Sequence, residues 1–157
     1  MRLNEYAYVR PLNQYDYTLF MCLDAQNPMG SLADEETELL KDNPYEQDYL
    51  WGIFVREDGL NYGANKLIGY CTVGGAEEVP DYKPGDVILS DVLISPAYRN
   101  MGYGTMLVSK VIEWIKPGTT IYITPWNDEV IPFYENIGFT KYYESMYHGS
   151  MMKYERK

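Results

Sequence analysis

The chain has 157 residues, a formal net charge of −10, 46% hydrophobic residues and 15% aromatic residues. This length and composition predict one packed domain, and they exclude a membrane helix because no stretch approaches the roughly 20 apolar residues that a bilayer span needs. The acidic balance opposes binding to the phosphate backbone of a nucleic acid.

The first residues carry an early acid, Glu5, and lack the apolar core of a signal peptide, so we expect a cytoplasmic protein without a membrane partner. Alternation of apolar and polar residues over 6–11 predicts the first strand. The next segments predict two helices, over residues 12–23 and 31–42, each bounded by turn residues or a capping residue.

Two runs of aromatic and β-branched residues, at 49–56 and 66–76, predict a hairpin because turn residues separate them. A polar loop over residues 77–85 leads into a long strand over residues 86–95. Pro96 ends this strand, and the hydrophobic period then changes from that of a strand to that of a helix.

The next helix is predicted over residues 103–115, where five apolar side chains share one face. These are Leu107, Val108, Val111, Ile112 and Ile115. A short buried strand is predicted over residues 119–124, and two further strands over 140–144 and 147–154 complete the chain.

The last helix is predicted to begin at Asn127, a capping residue, and to end at Gly138. Pro132 has no amide hydrogen, so this helix either bends or begins its regular part later than Asn127. Strands before, between and after the last two helices favour a mixed sheet with helices on both faces.

The segment after the long strand has the chemistry of an anion site. It enters the helix through Arg99-x-x-Gly102-x-Gly104, where glycines let an anion approach the backbone and the helix N-terminus offers amide donors. A dinucleotide-binding loop would need a third glycine where Leu107 stands, and a P-loop would need a Gly-Lys-Ser/Thr ending. Both are disfavoured, and the motif alone leaves a purely structural turn open.

Two motifs together resemble the GNAT N-acetyltransferases. The first is Val92-Leu93-Ile94-x-Pro96-x-Tyr98-Arg99-x-x-Gly102-x-Gly104, which is similar to that family's strand, pyrophosphate loop and helix. The second is Asn127-x-x-Val130-Ile131-Pro132-Phe133-Tyr134-x-x-x-Gly138-Phe139, with Val130 where the family usually has alanine. Weaker similarity covers nearly the whole chain. The resemblance implies one GNAT domain over residues 1–157.

The fold implied by this resemblance is α/β, with a mixed, mostly antiparallel central sheet of about six to seven strands and helices on both faces. Its implied co-substrate is acetyl-CoA, with no metal. In the family, the loop amides and the arginine hold the coenzyme pyrophosphate, the preceding strand pairs with the pantetheine arm and polarises the thioester carbonyl, and the asparagine bonds the arm. The coenzyme-binding residues implied here are Val92, Leu93, Ile94, Arg99, Asn100, Met101, Gly102, Tyr103, Gly104, Thr105, Asn127 and Tyr134.

Tyr134 matches the family's general acid, and a phenol of pKa about 10 suits the protonation of a departing thiolate of pKa about 8.5. An amine nucleophile must also lose a proton, and Asp91 is the first candidate for the base that takes it. The alternative is that Asp91 is a solvated or structurally bonded carboxylate without a catalytic role. Asn127 can serve as a helix N-cap as well as a ligand. Direct transfer leaves Cys22 and Cys71 as bystanders, expected to be buried, reduced thiols.

Residues 1–60 hold twelve acids and four bases, a net charge of −8. In the family the acceptor meets the first two helices, so we expect a cationic amine acceptor, either a small molecule or a peptide. A homodimer is common in the family. The rival interpretation is a non-catalytic acetyl-CoA-binding regulatory module, in which the same loop holds the coenzyme without turnover.

Overall fold

The computed structural model describes residues 7–25, 50–56, 65–125, 127–145 and 149–157. The strands so described are β1 (Tyr8–Pro11), β2 (Leu50–Arg56), β3 (Asn65–Gly75), β4 (Val87–Ile94), β5 (Thr120–Ile123), β6 (Thr140–Ser145) and β7 (Gly149–Glu155). The helices are α1 (Tyr17–Asp24), α2 (Tyr103–Trp114) and α3 (Ile131–Ile137). The helix predicted over residues 31–42 lies outside the described residues.

The strands form one seven-stranded sheet in the order β1-β2-β3-β4-β5-β7-β6. β4 and β5 pair in parallel, as expected for strands joined by a crossover that contains a helix, here α2. The other pairs with a described register, β1 with β2, β2 with β3, β5 with β7 and β6 with β7, are antiparallel. The predicted mixed, mostly antiparallel sheet is confirmed.

Contacts between Cα atoms divide the chain into two compact units. The first comprises Met1–Thr72 and Asp91–Val108, and the second comprises Val73–Ser90 and Ser109–Lys157. The first unit has a hydrophobic core built from α1 and the strands. Its buried members are Leu12, Phe20, Leu23, Leu50, Phe54, Leu67, Tyr70 and Leu93.

The predicted hairpin is the β2–β3 pair, and it contains a bulge. Ile53 lies opposite Gly69, whereas Phe54 lies opposite Leu67, so Ile68 is an extra residue on β3. A bulge of this kind bends the strand and reorients the residues beside it.

A partly buried ion pair between Arg10 and Asp16 lies at the entry to α1. The guanidinium of Arg10 donates to both carboxylate oxygens of Asp16 at 2.7 and 2.8 Å, and the backbone N–H of Asn13 donates to Asp16 Oδ2 at 2.9 Å. The hydrogen bond that Arg10 donates to Asp16 raises the pKa of Arg10. The helix predicted over residues 12–23 begins only at Tyr17, after a 3-10 turn over Gln14–Asp16 in which Asp16 accepts the bonds from Arg10 and Asn13.

Asp86 closes the loop between β3 and β4 in the second unit. Its carboxylate accepts the backbone N–H groups of Lys83 at 2.8 Å and Thr120 at 3.0 Å. Burial, with a smaller effect of the Asp86 charge, raises the pKa of Tyr122. The five residues of the predicted apolar stripe around α2 are all buried, which confirms the helical period.

The sequence predicted that Pro132 either bends its helix or delays the start of the regular part, and the structure shows the delayed start. A 3-10 turn covers Asp128–Val130, and the regular helix begins at Ile131. Pro132 thus lies in the first turn of α3, where the backbone N–H has no partner within the helix and its loss costs little.

Candidate functional site

A short loop between β4 and α2 is anchored to β3 at its first residue. The backbone N–H of Ser95 donates to the carbonyl of the bulge residue Ile68 at 2.7 Å. A 3-10 turn follows, in which the backbone N–H of Tyr98 donates to Ser95 O at 2.9 Å. We call residues 95–105 the anion loop.

The anion loop turns into α2 through two residues with left-handed backbone. Asn100 has φ of 62° and Gly102 has φ of 92°, a region that asparagine tolerates and glycine enters freely. The backbone N–H of Met106 donates to Gly102 O at 3.1 Å, the first bond of the helix. Gly104 and Thr105 lie in the first turn of α2, where backbone N–H groups have no carbonyl of their own helix to bond. This geometry suits an anion.

The charges of this segment agree with its geometry. Arg99 Nε donates to Ile94 O at 2.8 Å, which ties the end of β4 to the loop and holds the guanidinium there. Between Asp91 and Glu113 the sequence contains no acid. Phosphate oxygens would meet amide dipoles and a fixed cation with no opposing carboxylate from the loop itself.

The end of β4 packs tightly against β3 within the first unit. Leu93 is buried in the core, while Val92 and Ile94 are half-buried. A Cβ on Gly69 would lie 2.7 Å from Leu93 O and 2.5 Å from Ile94 Cδ1, so only glycine fits at that position. Gly69 and Ile68, which support this end of β4, were not predicted from the sequence. A lone glycine inside a strand pattern is the signal that could have indicated a bulge or close approach.

Asp91 lies in β4, immediately before this segment. Its side chain is outside the described part of the structure, so its assignment as the base stays a prediction.

Asn127 caps the 3-10 turn before α3 in the second unit. Its Oδ1 accepts the backbone N–H of Glu129 at 2.9 Å, and its own backbone is extended, with φ of −148°. The predicted N-cap is therefore confirmed. Its amide also remains a candidate ligand for the pantetheine arm, and that role stays a prediction.

Tyr134 is held by the C-terminal cap of α3. The backbone N–H of Phe139 donates to Tyr134 O at 3.0 Å, and that of Gly138 donates to Glu135 O at 3.0 Å. This pair of bonds, with Gly138 at φ of 125°, has the hydrogen-bond pattern of a Schellman motif. The ring of Tyr134 is only 6% exposed and meets the Phe139 ring at 5.8 Å. The spacing of tyrosine, glycine and phenylalanine in the motif thus has a structural cause.

The two cysteines have different environments. Cys71 is buried, and burial raises its pKa to about 12. Cys22 is exposed on α1, so the prediction that both thiols are buried is wrong for Cys22. The short, eight-residue α1 does not bury all of its apolar positions.

Within the described residues there is neither a metal-ligand cluster nor a membrane-spanning helix. In the ranges given above, no group of three or more His, Cys, Asp or Glu side chains could hold a metal ion. The helices seen there are also too short or too polar to cross a bilayer.

A model of the acetyltransferase (GNAT) family matches residues 15–139 of the chain. No curated protein sequence matches it significantly. Among solved structures, the ribosomal-protein-S18-alanine N-acetyltransferase from Escherichia coli has a TM-score of 0.64 at 14% identity, over 96% of this chain and 94% of that one. Arabidopsis thaliana NAA60, bound to a bisubstrate analogue, has a TM-score of 0.65 at 14% identity, over 94% and 98%.

A third solved structure, the Bacillus subtilis N-acetyltransferase YlbP in complex with coenzyme A, has a TM-score of 0.62 at 19% identity, over 95% of this chain and 96% of that one. At these identities the likeness shows a shared fold. The family match rests on the sequence and includes the anion loop, Asn127 and Tyr134.

Proposed function

Because the chain belongs to the acetyltransferase (GNAT) family and is therefore an acyltransferase, we propose that it moves the acetyl group of acetyl-CoA directly onto a primary amine. The acceptor is a cationic small molecule or a peptide. One observation carries the proposal: the anion loop combines left-handed backbone at Asn100 and Gly102 with helix amides and Arg99, in a stretch without acids.

The residues present fit the coenzyme. In the proposal, the amides of residues 100–105 and the Arg99 guanidinium hold its diphosphate. The backbone of Val92, Leu93 and Ile94 runs beside the pantetheine arm, where an amide N–H polarises the thioester carbonyl. The apolar, half-buried side chains of Val92 and Ile94 support this, since a dry environment strengthens such a hydrogen bond. When bound, acetyl-CoA supplies an activated acetyl thioester.

Tyr134 donates the proton that the departing thiolate takes. A phenol suits this role because its reference pKa of about 10 exceeds the thiol value of about 8.5. The burial of the ring and its cap at Gly138 and Phe139 support the assignment, since a proton donor must be held in one orientation.

Asp91 is proposed to take the proton of the attacking amine, directly or through water, because a protonated amine cannot attack. The cysteines take no part in transfer. For Cys71, burial and its raised pKa, about 12, support this assignment, since a thiolate is the reactive form.

The acidic composition of the first 60 residues, net −8, supports a positively charged acceptor. A peptide amine is one form of it, and the Escherichia coli neighbour, whose name gives an alanine of ribosomal protein S18 as its target, supports including peptides among the acceptors.

Release of the coenzyme thiol, measured across a panel of amines and peptide N-termini, tests this function. We expect release with at least one cationic amine, and a decrease in kcat of about 100-fold or more in Tyr134→Phe with acetyl-CoA affinity retained. Tyr82→Phe, in which a 41% exposed tyrosine of the β3–β4 loop changes, is the control and should keep the wild-type rate. Tight coenzyme binding with no release for any acceptor would instead favour the non-catalytic module.

A further inference from the structure

Lys66, the second residue of β3, lies beside the anion loop. Its Nζ is 5.4 Å from the centre of the Tyr98 ring, within the range of a cation–π contact. The Tyr98 ring in turn meets the ring of Tyr103, the first residue of α2, edge to face at 6.0 Å. The hydrogen bond from Ser95 N–H to Ile68 O holds the loop to the same end of β3. An exposed ammonium group is thereby placed at the edge of the anion loop.

The charge of the chain makes such a cation useful. The net charge of −10 repels a polyanion such as the coenzyme, so capture depends on cations near the loop. Between Asp91 and Glu113 the only charged residues are Arg99 and Lys110. Lys66 places a further positive charge beside the loop, on β3, whereas Arg99 follows β4.

The two cations at the loop differ in the shape of the charged group and in the stem that carries it. Arg99 is held through Nε by the carbonyl of Ile94 at 2.8 Å. Lys66 has a flexible four-carbon stem and a compact charge with three donors, which can follow a phosphate that lies outside the reach of the loop amides. The contact with Tyr98 keeps the Lys66 side chain beside the loop, and the residue as a whole is exposed.

We propose that Lys66 binds a phosphate group of the coenzyme, beside the amides of the anion loop. This inference rests on the proposed coenzyme site, and it assigns a binding residue that lies on β3, outside both motifs. The phosphate is either the diphosphate or the 3′-phosphate of the coenzyme, and the ligand used in the test distinguishes them.

The test is titration calorimetry of Lys66→Gln with acetyl-CoA and with its 3′-dephospho form at low salt. We expect acetyl-CoA affinity to fall about threefold to fivefold, the size of one exposed ion pair, and the loss to shrink as salt is added. Lys66→Arg should restore most of the affinity. Lys110→Gln is the matched control, since it removes an exposed α2 lysine that pairs with Glu113 at 3.3 Å.

A loss with acetyl-CoA alone assigns Lys66 to the 3′-phosphate, and an equal loss with both ligands assigns it to the diphosphate. Unchanged affinity for both in a variant with wild-type thermal stability would overturn the inference, as would an equal loss in Lys110→Gln. A wild-type protein that binds neither ligand would overturn the proposed function itself.

Discussion

Tyr134 is fixed by packing around its ring. The rings of Phe133 and Phe139 lie 4.9 and 5.8 Å from it, both close to perpendicular. The ring is almost fully buried, so few rotamers are open to it. A phenol held in this way keeps one orientation, which the proposed proton transfer requires.

The two cysteines should differ in their reactivity towards thiol reagents. Because burial raises the pKa of Cys71 to about 12, it stays a thiol at pH 8, whereas Cys22 is exposed. We predict that a thiol-specific disulfide reagent labels Cys22 alone in the folded protein at pH 8 and both cysteines after unfolding. Cys22→Ser should keep wild-type turnover, because direct transfer needs no thiol nucleophile. An acetyl group found on either cysteine after incubation with acetyl-CoA alone would contradict direct transfer.

At the scale of elements, the end of α3 decides where Tyr134 lies. The cap requires Gly138 at φ of 125°, and a Cβ there would come within 2.8 Å of Tyr154 Cε2. The glycine therefore has both a conformational and a steric cause.

We predict that Gly138→Ala lowers the free energy of unfolding by about 1–3 kcal/mol and also lowers kcat, because α3 must shift at Tyr134. Gly118→Ala is the matched control. Gly118 has a similar positive φ of 91°, but nothing lies within 4 Å of the Cβ it would acquire. Denaturant unfolding and thiol release measure the two effects. If both variants lost the same stability and both kept wild-type turnover, the contact with Tyr154 would have no effect on Tyr134.

Periodicity and turn residues were enough to predict α2 and the β2–β3 hairpin, and the order of strands and helices along the chain was enough to predict the mixed sheet. Gly69 could have indicated an irregularity in β3, but the position of the bulge at Ile68 depends on which residues of β2 and β3 face each other, and no pattern along one strand gives that. The burial of Asp16 was missed for a related reason: its partner Arg10 comes from β1. In the site, the motifs indicated the anion loop and Tyr134, whereas the support from Gly69 and the proposed role of Lys66 depend on contacts with β3 that lie outside both motifs.

At the scale of the whole molecule, charge is unevenly distributed along the chain. Residues 1–60 carry a net charge of −8, and the anion loop lies in a stretch with no acid. In the proposed function, the anionic coenzyme binds at the loop and a cationic acceptor is attracted by the acidic residues of the first 60 positions. The proposed acetyl transfer depends on the anion loop, because without a coenzyme site the chain has no acyl donor.

Calorimetry of acetyl-CoA binding to Gly102→Glu and Gly85→Glu tests that claim most directly. The two glycines have nearly equal φ, 92° and 94°, and a side chain at Gly85 would meet nothing within 4 Å. Both substitutions therefore place a side chain on backbone of similar left-handed conformation, but only Gly102→Glu places a carboxylate in the anion loop. We predict that Gly102→Glu weakens acetyl-CoA binding about tenfold or more while Gly85→Glu binds as the wild type does. Wild-type affinity in a folded Gly102→Glu protein would contradict the account.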